Sequence, residues 1–215
     1  MTVRWRTGWL VLLALTTGGC TAIAVVTHNP TADAAKAPPG LYRLDPDHAA
    51  VVFTVDHLQF ARYVGRFDRL DAELAFDGAD PTASRLTVAI QADSVDTNNA
   101  VVEELLKARP MFDVERYPTI TFTSTEIALT GERTGRIDGL LTVKDRSRPV
   151  SLDVTFNGAA PNPLTSDYTL GFSATATVDR ADLGLGQWIP AVGGDVDLLI
   201  EVEFKHVGPG DAPGA

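Results

Sequence analysis

Cysteine is almost absent from this 215-residue chain, and the single one is Cys20. No disulfide can form within the chain, and no cysteine-ligated zinc site can be built. Basic residues are scarce too: 18 Lys and Arg stand against 28 Asp and Glu, a formal net charge of −10. Phosphate binding needs a basic surface, so nucleic acid is excluded as a partner. The four histidines are His28, His48, His57 and His206. None has a second His or a Cys at metal-ligand spacing, so no metal and no cofactor is expected. "DSVDTNN" lacks the glycine and terminal Glu of a calcium loop. "GLGQWI" has Ile189 where a dinucleotide fingerprint needs its third glycine. There is no G-x-S-x-G, so no catalytic residue is assigned. There is also no internal repeat.

What is present divides the chain into four parts. Arg4 and Arg6 precede an uncharged, largely apolar run from Thr7 to Thr27, the pattern of an export segment. Residues 1–34 read as a signal peptide cleaved after the Ala32-Asp33-Ala34 pattern, or as a retained membrane anchor. Gly19-Cys20 offers a third fate, lipidation. All three place the following domain outside the cytoplasm, in the periplasm or cell envelope. Residues 35–40, in the Ala- and Pro-rich "NPTADAAKAPPG", read as a flexible linker. Residues 41–206 hold the folded domain, and 207–215 a disordered tail.

Within the domain the period is two. Val51, Phe53, Val55 and His57 share one strand face. So do Leu70, Ala72, Leu74 and Phe76, and later Val196, Leu198, Ile200, Val202 and Phe204. About eight such half-buried strands imply an all-β fold with antiparallel pairing, a sandwich or a closed barrel. Small inward residues such as Ala72, Ala174 and Ala176 favour space inside a barrel. One segment has helical spacing, "DTNNAVVEELLKARPMF", which predicts a short helix from about Asn99 to Ala108 stopped by Pro110. "DRADLGLGQWIPAVGGD" is a Gly-rich loop carrying Trp188 and Ile189, suited to capping a barrel mouth. Candidate ligand-lining residues are Phe53, Val55, His57, Phe60, Phe67, Phe76, Ile90, Met111, Phe112, Phe122, Leu141, Phe156, Phe172, Trp188 and Ile189. Each also has the plainer reading of a packed core side chain.

The ordered pieces "YRLDPDHAAVVFTVDHL", "GRFDRLDAELAFD", "DSVDT", "FDVERYPTITFTST", "GLLTVKDRSRPVSLDVTFNG", "VDRADLGLG" and "VGGDVDLLIEVEF" resemble the YceI family, from about Gly40 to His206. That resemblance implies an eight-stranded antiparallel lipocalin-like barrel with a helix over one end. It also implies an interior pore for a long isoprenoid chain. The chain departs from the family pattern around the helix, with Val102, Glu103 and Leu105 in place of an Arg-Asp pair and a His, and with Met111 as the first of a Phe pair. Lys144-Asp145 replaces a His-Gly. A greasier helix bordering the pore would change head-group preference or tail length.

The resulting expectation is a carrier, store or sequestering protein for a polyprenyl or quinone-type lipid. The acidic balance favours a neutral head, although Arg62, Arg66, Arg146 and Arg148 would favour an anion if they clustered at a mouth. A membrane tether through the N-terminal segment and a homodimer stay open as partners. Two other classes compete: an enzyme acting on such a lipid with His57 or His48 as acid/base, and a solid-core structural or adhesion module.

Overall fold

The alternating rows all become strands. A computed structural model describes residues 27–208. Its elements are β1 (Gly40–His57), β2 (Ala61–Phe67), β3 (Leu70–Phe76), β4 (Arg85–Gln91), β5 (Val95–Asp96), α1 (Ala100–Lys107), β6 (Thr119–Leu129), β7 (Thr134–Val143), β8 (Arg146–Pro161), β9 (Tyr168–Asp179) and β10 (Val192–His206). The pairings are antiparallel in the order β10-β9-β8-β7-β6-β4-β3-β1-β2-β5, and β10 returns to pair with β1. The result is a closed eight-stranded antiparallel barrel with one short helix. β2 and β3 together serve as one bent wall strand: β2 lies against Val51–His57 of β1, and β3 against Gly40–Arg43.

β4 pairs with β3 but not with β2, whose outer edge meets only the two residues of β5. α1 follows β5 and packs against it at this break in the wall. The Asn99 side chain caps the helix by accepting from the N–H groups of Val101 and Val102, and Glu103 Oε1 accepts from the N–H of Asn99 at 3.2 Å. These reciprocal bonds satisfy donors that a helix start otherwise leaves orphaned.

The core divides into two halves. In one, Tyr42, Phe76, Phe156 and Phe204 are buried, with Phe172 packed against them. The rings meet edge to face or tilted, with centroids 5.9 Å apart for Tyr42–Phe76, 5.4 Å for Phe156–Phe172 and 6.1 Å for Phe172–Phe204. Ala72 belongs to this packed half, where its small size makes room for rings rather than for a ligand. The segment expected to be a flexible linker is instead held on this end of the barrel. Thr31 bridges to Ala159 through two 2.9 Å backbone bonds, and Ala37 is only 3% exposed. Apolar contact and paired backbone groups together outweigh its linker-like composition. The export segment with Cys20 and most of the C-terminal tail lie outside the described residues.

The packed end carries a polar latch. Where β1 shifts register against β10, between Leu44 and Ala49, Asp45 is buried at 2% exposure. Its Oδ2 lies 2.8 Å from Lys205 Nζ and 2.7 Å from His48 Nδ1. Burial acts to raise the Asp45 carboxyl, but the bonds from Lys205, His48 and the Asp47 amide outweigh it and hold the group below its ordinary range. The same carboxylate raises His48 and Lys205. His48 therefore contributes stability that is full below its unfolded value of 6.5 and lost as pH rises through its higher folded value. Asp45 contributes in the opposite sense, present above 3.8 and lost as pH falls through its depressed folded value. A His48→Gln variant should accordingly unfold at a lower temperature than the parent at about pH 6, with the deficit shrinking toward about pH 9. Thermal unfolding across that range checks it, and a deficit independent of pH contradicts it.

Candidate functional site

In the other half of the barrel the inward positions are mainly aliphatic: Val51, Val55, Ile90, Ile120, Leu141, Val143, Val178, Val196 and Leu198. An eight-stranded bore is just wide enough for large side chains to fill. Valine and leucine stop short of the axis, and a cavity of about 460 Å³ remains, lined almost wholly by apolar side chains and open at the barrel end. The aromatic residues here stand against the wall. The Phe53 ring lies across Gly65, its cross-strand partner on β2, where any Cβ would overlap it. Phe67 packs on Phe53 and Phe112 with centroids 5.7 and 5.8 Å apart.

Three pieces frame the opening. The first is α1, which places Val102, Leu105 and Leu106 on the cavity side. The second is the β1–β2 turn, where Leu58 and Gln59 have φ of 52° and 59°. The third is the loop between β9 and β10, in which Trp188 has φ of 67°. Left-handed backbone is uncommon for non-glycine residues and costs on the order of 1 kcal/mol each. Leu58 donates its N–H to the Ala191 carbonyl at 2.8 Å, tying the turn to the loop.

Arg180 anchors that loop. It is buried, and its guanidinium donates to the carbonyls of Gly193 (2.7 Å), Gln187 (2.8 Å), Val192 (2.8 Å) and Leu185. Burial lowers its pKa from the ordinary arginine value. One fixed fork of donors serves all four carbonyls, tying the loop to the start of β10. Lys144 plays a similar part at the adjacent hairpin. Its ammonium donates to the carbonyls of Pro110, Met111 and Gly184 at 2.9, 2.9 and 3.2 Å.

The structure brings Phe53, Val55, His57, Phe67, Ile90, Met111, Phe112, Leu141 and Trp188 together around the cavity. It places the other sequence candidates elsewhere. Phe76, Phe156 and Phe172 belong to the packed half. Phe122 is buried over Gly139, where a Cβ would overlap its ring and sit 2.6 Å from the Thr123 carbonyl oxygen. Phe60 follows the turn and is 88% exposed, and Ile189 is exposed on the loop without lining the cavity. Ala174 and Ala176 do not line the cavity. Sequence reasoning missed Arg180 and the α1 residues as lining groups, although the greasy departures Val102, Leu105 and Met111 had marked that region.

The histidines separate. His57 stands at the mouth, its ring centroid 5.9 Å from Tyr63. His48 sits at the packed end, beside a different cleft, and cannot act on anything in the cavity. There the ligand atoms of Asp45, His48 and Glu203 lie within 4.8 Å of one another, a grouping that sequence spacing did not foresee. Lys205 already neutralises Asp45 from within that group. Of the four arginines expected to matter if clustered, Arg62 pairs with Asp197 at 2.6 Å and Arg66 with Asp96 at 3.0 Å, both on exposed strand surface.

The family model for the YceI-like domain matches residues 42–204. A UPF0312 protein of Pectobacterium atrosepticum is 32% identical over 185 residues, covering 85% of this chain and 95% of the relative. Among solved structures, BcnA of Burkholderia cenocepacia superposes with a TM-score of 0.68 at 21% identity, covering 74% of this chain and 98% of that one. A polyisoprenoid binding domain from Saccharophagus degradans gives 0.58 at 13% identity, covering 79% and 99%. At those identities the two structures speak for the fold.

Replacing Arg180 by Met would remove the guanidinium bonds to four carbonyls, one buried and three half-buried. Bonds to a charged group are worth about 1.5–3 kcal/mol each and are only partly additive, so a loss of roughly 3 kcal/mol or more is expected. Arg180→Lys should fail to restore it, because one ammonium cannot span the four acceptors. Urea unfolding of both variants checks this, with faster proteolysis within residues 181–193 as the local signature.

Proposed function

Because the chain belongs to the YceI-like domain family and carries a one-ended apolar cavity, we propose that it binds a long-chain isoprenoid lipid of the polyprenyl or quinone type. It would act as a carrier, store or sequestering protein in the bacterial cell envelope. The observation that carries this is the cavity itself, about 460 Å³ with scarcely a polar group in its wall. The Saccharophagus degradans domain, named for polyisoprenoid binding, supports the same ligand class. A solid-core module fits only the packed half of the barrel.

The volume sets how the ligand sits. At about 30 Å³ per water-sized group, the enclosed space takes on the order of fifteen carbon-sized groups, roughly three isoprene units. A longer chain enters tail first and leaves its remainder and head at the opening. Each buried methylene contributes about 0.8 kcal/mol, partly offset by ordering, so the tail supplies affinity and the head supplies orientation. The polar side chains at the mouth are His57 and Tyr63, while the Arg180 guanidinium is engaged by carbonyls. α1 adds only Val102, Leu105 and Leu106. This supports a neutral head over a pyrophosphate.

Organic extraction of the purified protein followed by mass spectrometry tests the proposal. An isoprenoid lipid recovered in near-stoichiometric amount is expected. A Leu198→Trp variant, which fills the cavity, should retain at least tenfold less lipid while keeping a cooperative unfolding transition. Repeated recovery of no lipid from the parent chain would rule the proposal out.

A further inference from the structure

The cavity rim does more than outline an opening. Leu58, Leu105 and Trp188 line the cavity and are also exposed. Next to each stands a large apolar residue that does not line it: Phe60, 88% exposed; Val101, 71% exposed; and Ile189, 40% exposed. These residues come from three separate elements, the β1–β2 turn, α1 and the β9–β10 loop, so the rim is apolar from three sides. Val101 and Leu105 are four apart on one helix, on one stripe of its surface. Tight turns ordinarily use Gly, Asn or Asp, which tolerate left-handed backbone. Here Leu58, Gln59 and Trp188 occupy it instead. Local strain together with exposed apolar bulk at one opening marks a surface maintained for contact rather than for folding.

We infer that this rim docks the barrel mouth-down on a lipid bilayer surface, so that the ligand moves between membrane and cavity without crossing water. The inference rests on the lipid-binding reading above. The charges identify a bilayer and its mode of attachment. The cations on and beside the rim elements are already engaged: Arg62 with Asp197 at 2.6 Å, Lys107 with Glu104 at 3.4 Å, Arg109 with Asp113 at 3.0 Å, and Arg180 with the loop carbonyls. With a net charge of −10, the protein gains nothing from anionic headgroups. Attachment therefore comes from Trp, Phe and aliphatic side chains entering the interface of a zwitterionic bilayer. A bilayer covers all three tips at once and is itself the source of the ligand, whereas a rigid partner protein would close the opening. Among the described residues no helix is long and apolar enough to cross a membrane.

The test uses the full-length chain with Cys20→Ser, so that one introduced cysteine carries an environment-sensitive fluorophore. Gln59→Cys reports the rim and Thr165→Cys the opposite end. With phosphatidylcholine vesicles containing brominated acyl chains, the label at 59 should be quenched and the label at 165 should not. Raising the salt to about 0.5 M should leave the quenching unchanged, as expected without charge attraction. The triple variant Phe60→Ser, Val101→Ser, Ile189→Ser should lose the quenching. It should also slow transfer of a fluorescent lipid from vesicles about tenfold, while its uptake of a water-soluble fluorescent fatty acid stays unchanged. Equal quenching at both positions would overturn the inference, because residues 1–26 would then be holding the protein. A label at 59 that stays in water, or that is covered on raising protein concentration without vesicles, would also overturn it. Quenching at 59 with no fatty-acid uptake by the parent chain would sink the lipid-binding reading and leave the docking face standing.

Discussion

The bore of an eight-stranded barrel is set by strand number and stagger, and side chains must fit whatever width results. Phenylalanine and tyrosine reach far enough to meet across it, and valine and leucine do not. The chain uses both outcomes. Tyr42, Phe76, Phe156 and Phe204 close one half into an ordinary core, with Phe172 packed on them, while Val51, Val55, Val143, Val178 and Val196 leave the other half hollow. One plugged end and one open end turn a barrel into a container with a defined direction of entry. The rings that remain in the hollow half do not break this logic. Phe53 lies flat because its cross-strand partner is Gly65, so its bulk is spent along the wall rather than across the lumen.

The hollow half keeps apolar packing in its walls, including Leu183 and Leu185 of the β9–β10 loop, and polar interactions add to it. Arg180 and Lys144 are cations bonded to backbone carbonyls, which organises irregular chain without contributing apolar volume. Both draw together segments distant in sequence, Lys144 joining the stretch after α1 to the β9–β10 loop. At the packed end, by contrast, the Asp45, His48 and Lys205 network serves a strand irregularity in a region already filled with rings. Polar groups thus supplement a core at both ends, fixing irregular loops at one and a strand irregularity at the other.

Much of the fold was legible because period-two alternation survives in nearly every strand, and Asn99 with Pro110 bracketed the helix within a residue or so. Alternation tells which face a residue takes but not its height along the barrel. Phe53 and Phe76 look equivalent in sequence, yet one lines the cavity and the other plugs the far end. Their separation depends on the bend that divides β2 from β3, which no local pattern announces. Arg180 was passed over because an arginine in a polar loop ordinarily faces water. Its usable signal was position: a lone cation entering a Gly-rich run with many backbone carbonyls to satisfy. Phe60 was misjudged for the opposite reason, since a large ring beside a strand end is usually drawn inward.

The bridge between Thr31 and Ala159 fixes where the preceding chain meets the barrel, which is the base and not the brim. A container held by its foot presents its opening to whatever lies opposite its support. If the N-terminal segment keeps the molecule attached to one surface, the cavity faces across the intervening space toward another. Cleavage after Ala34 would instead remove Thr31 and with it this foothold, so only a retained or lipidated first segment would hold the container by its base.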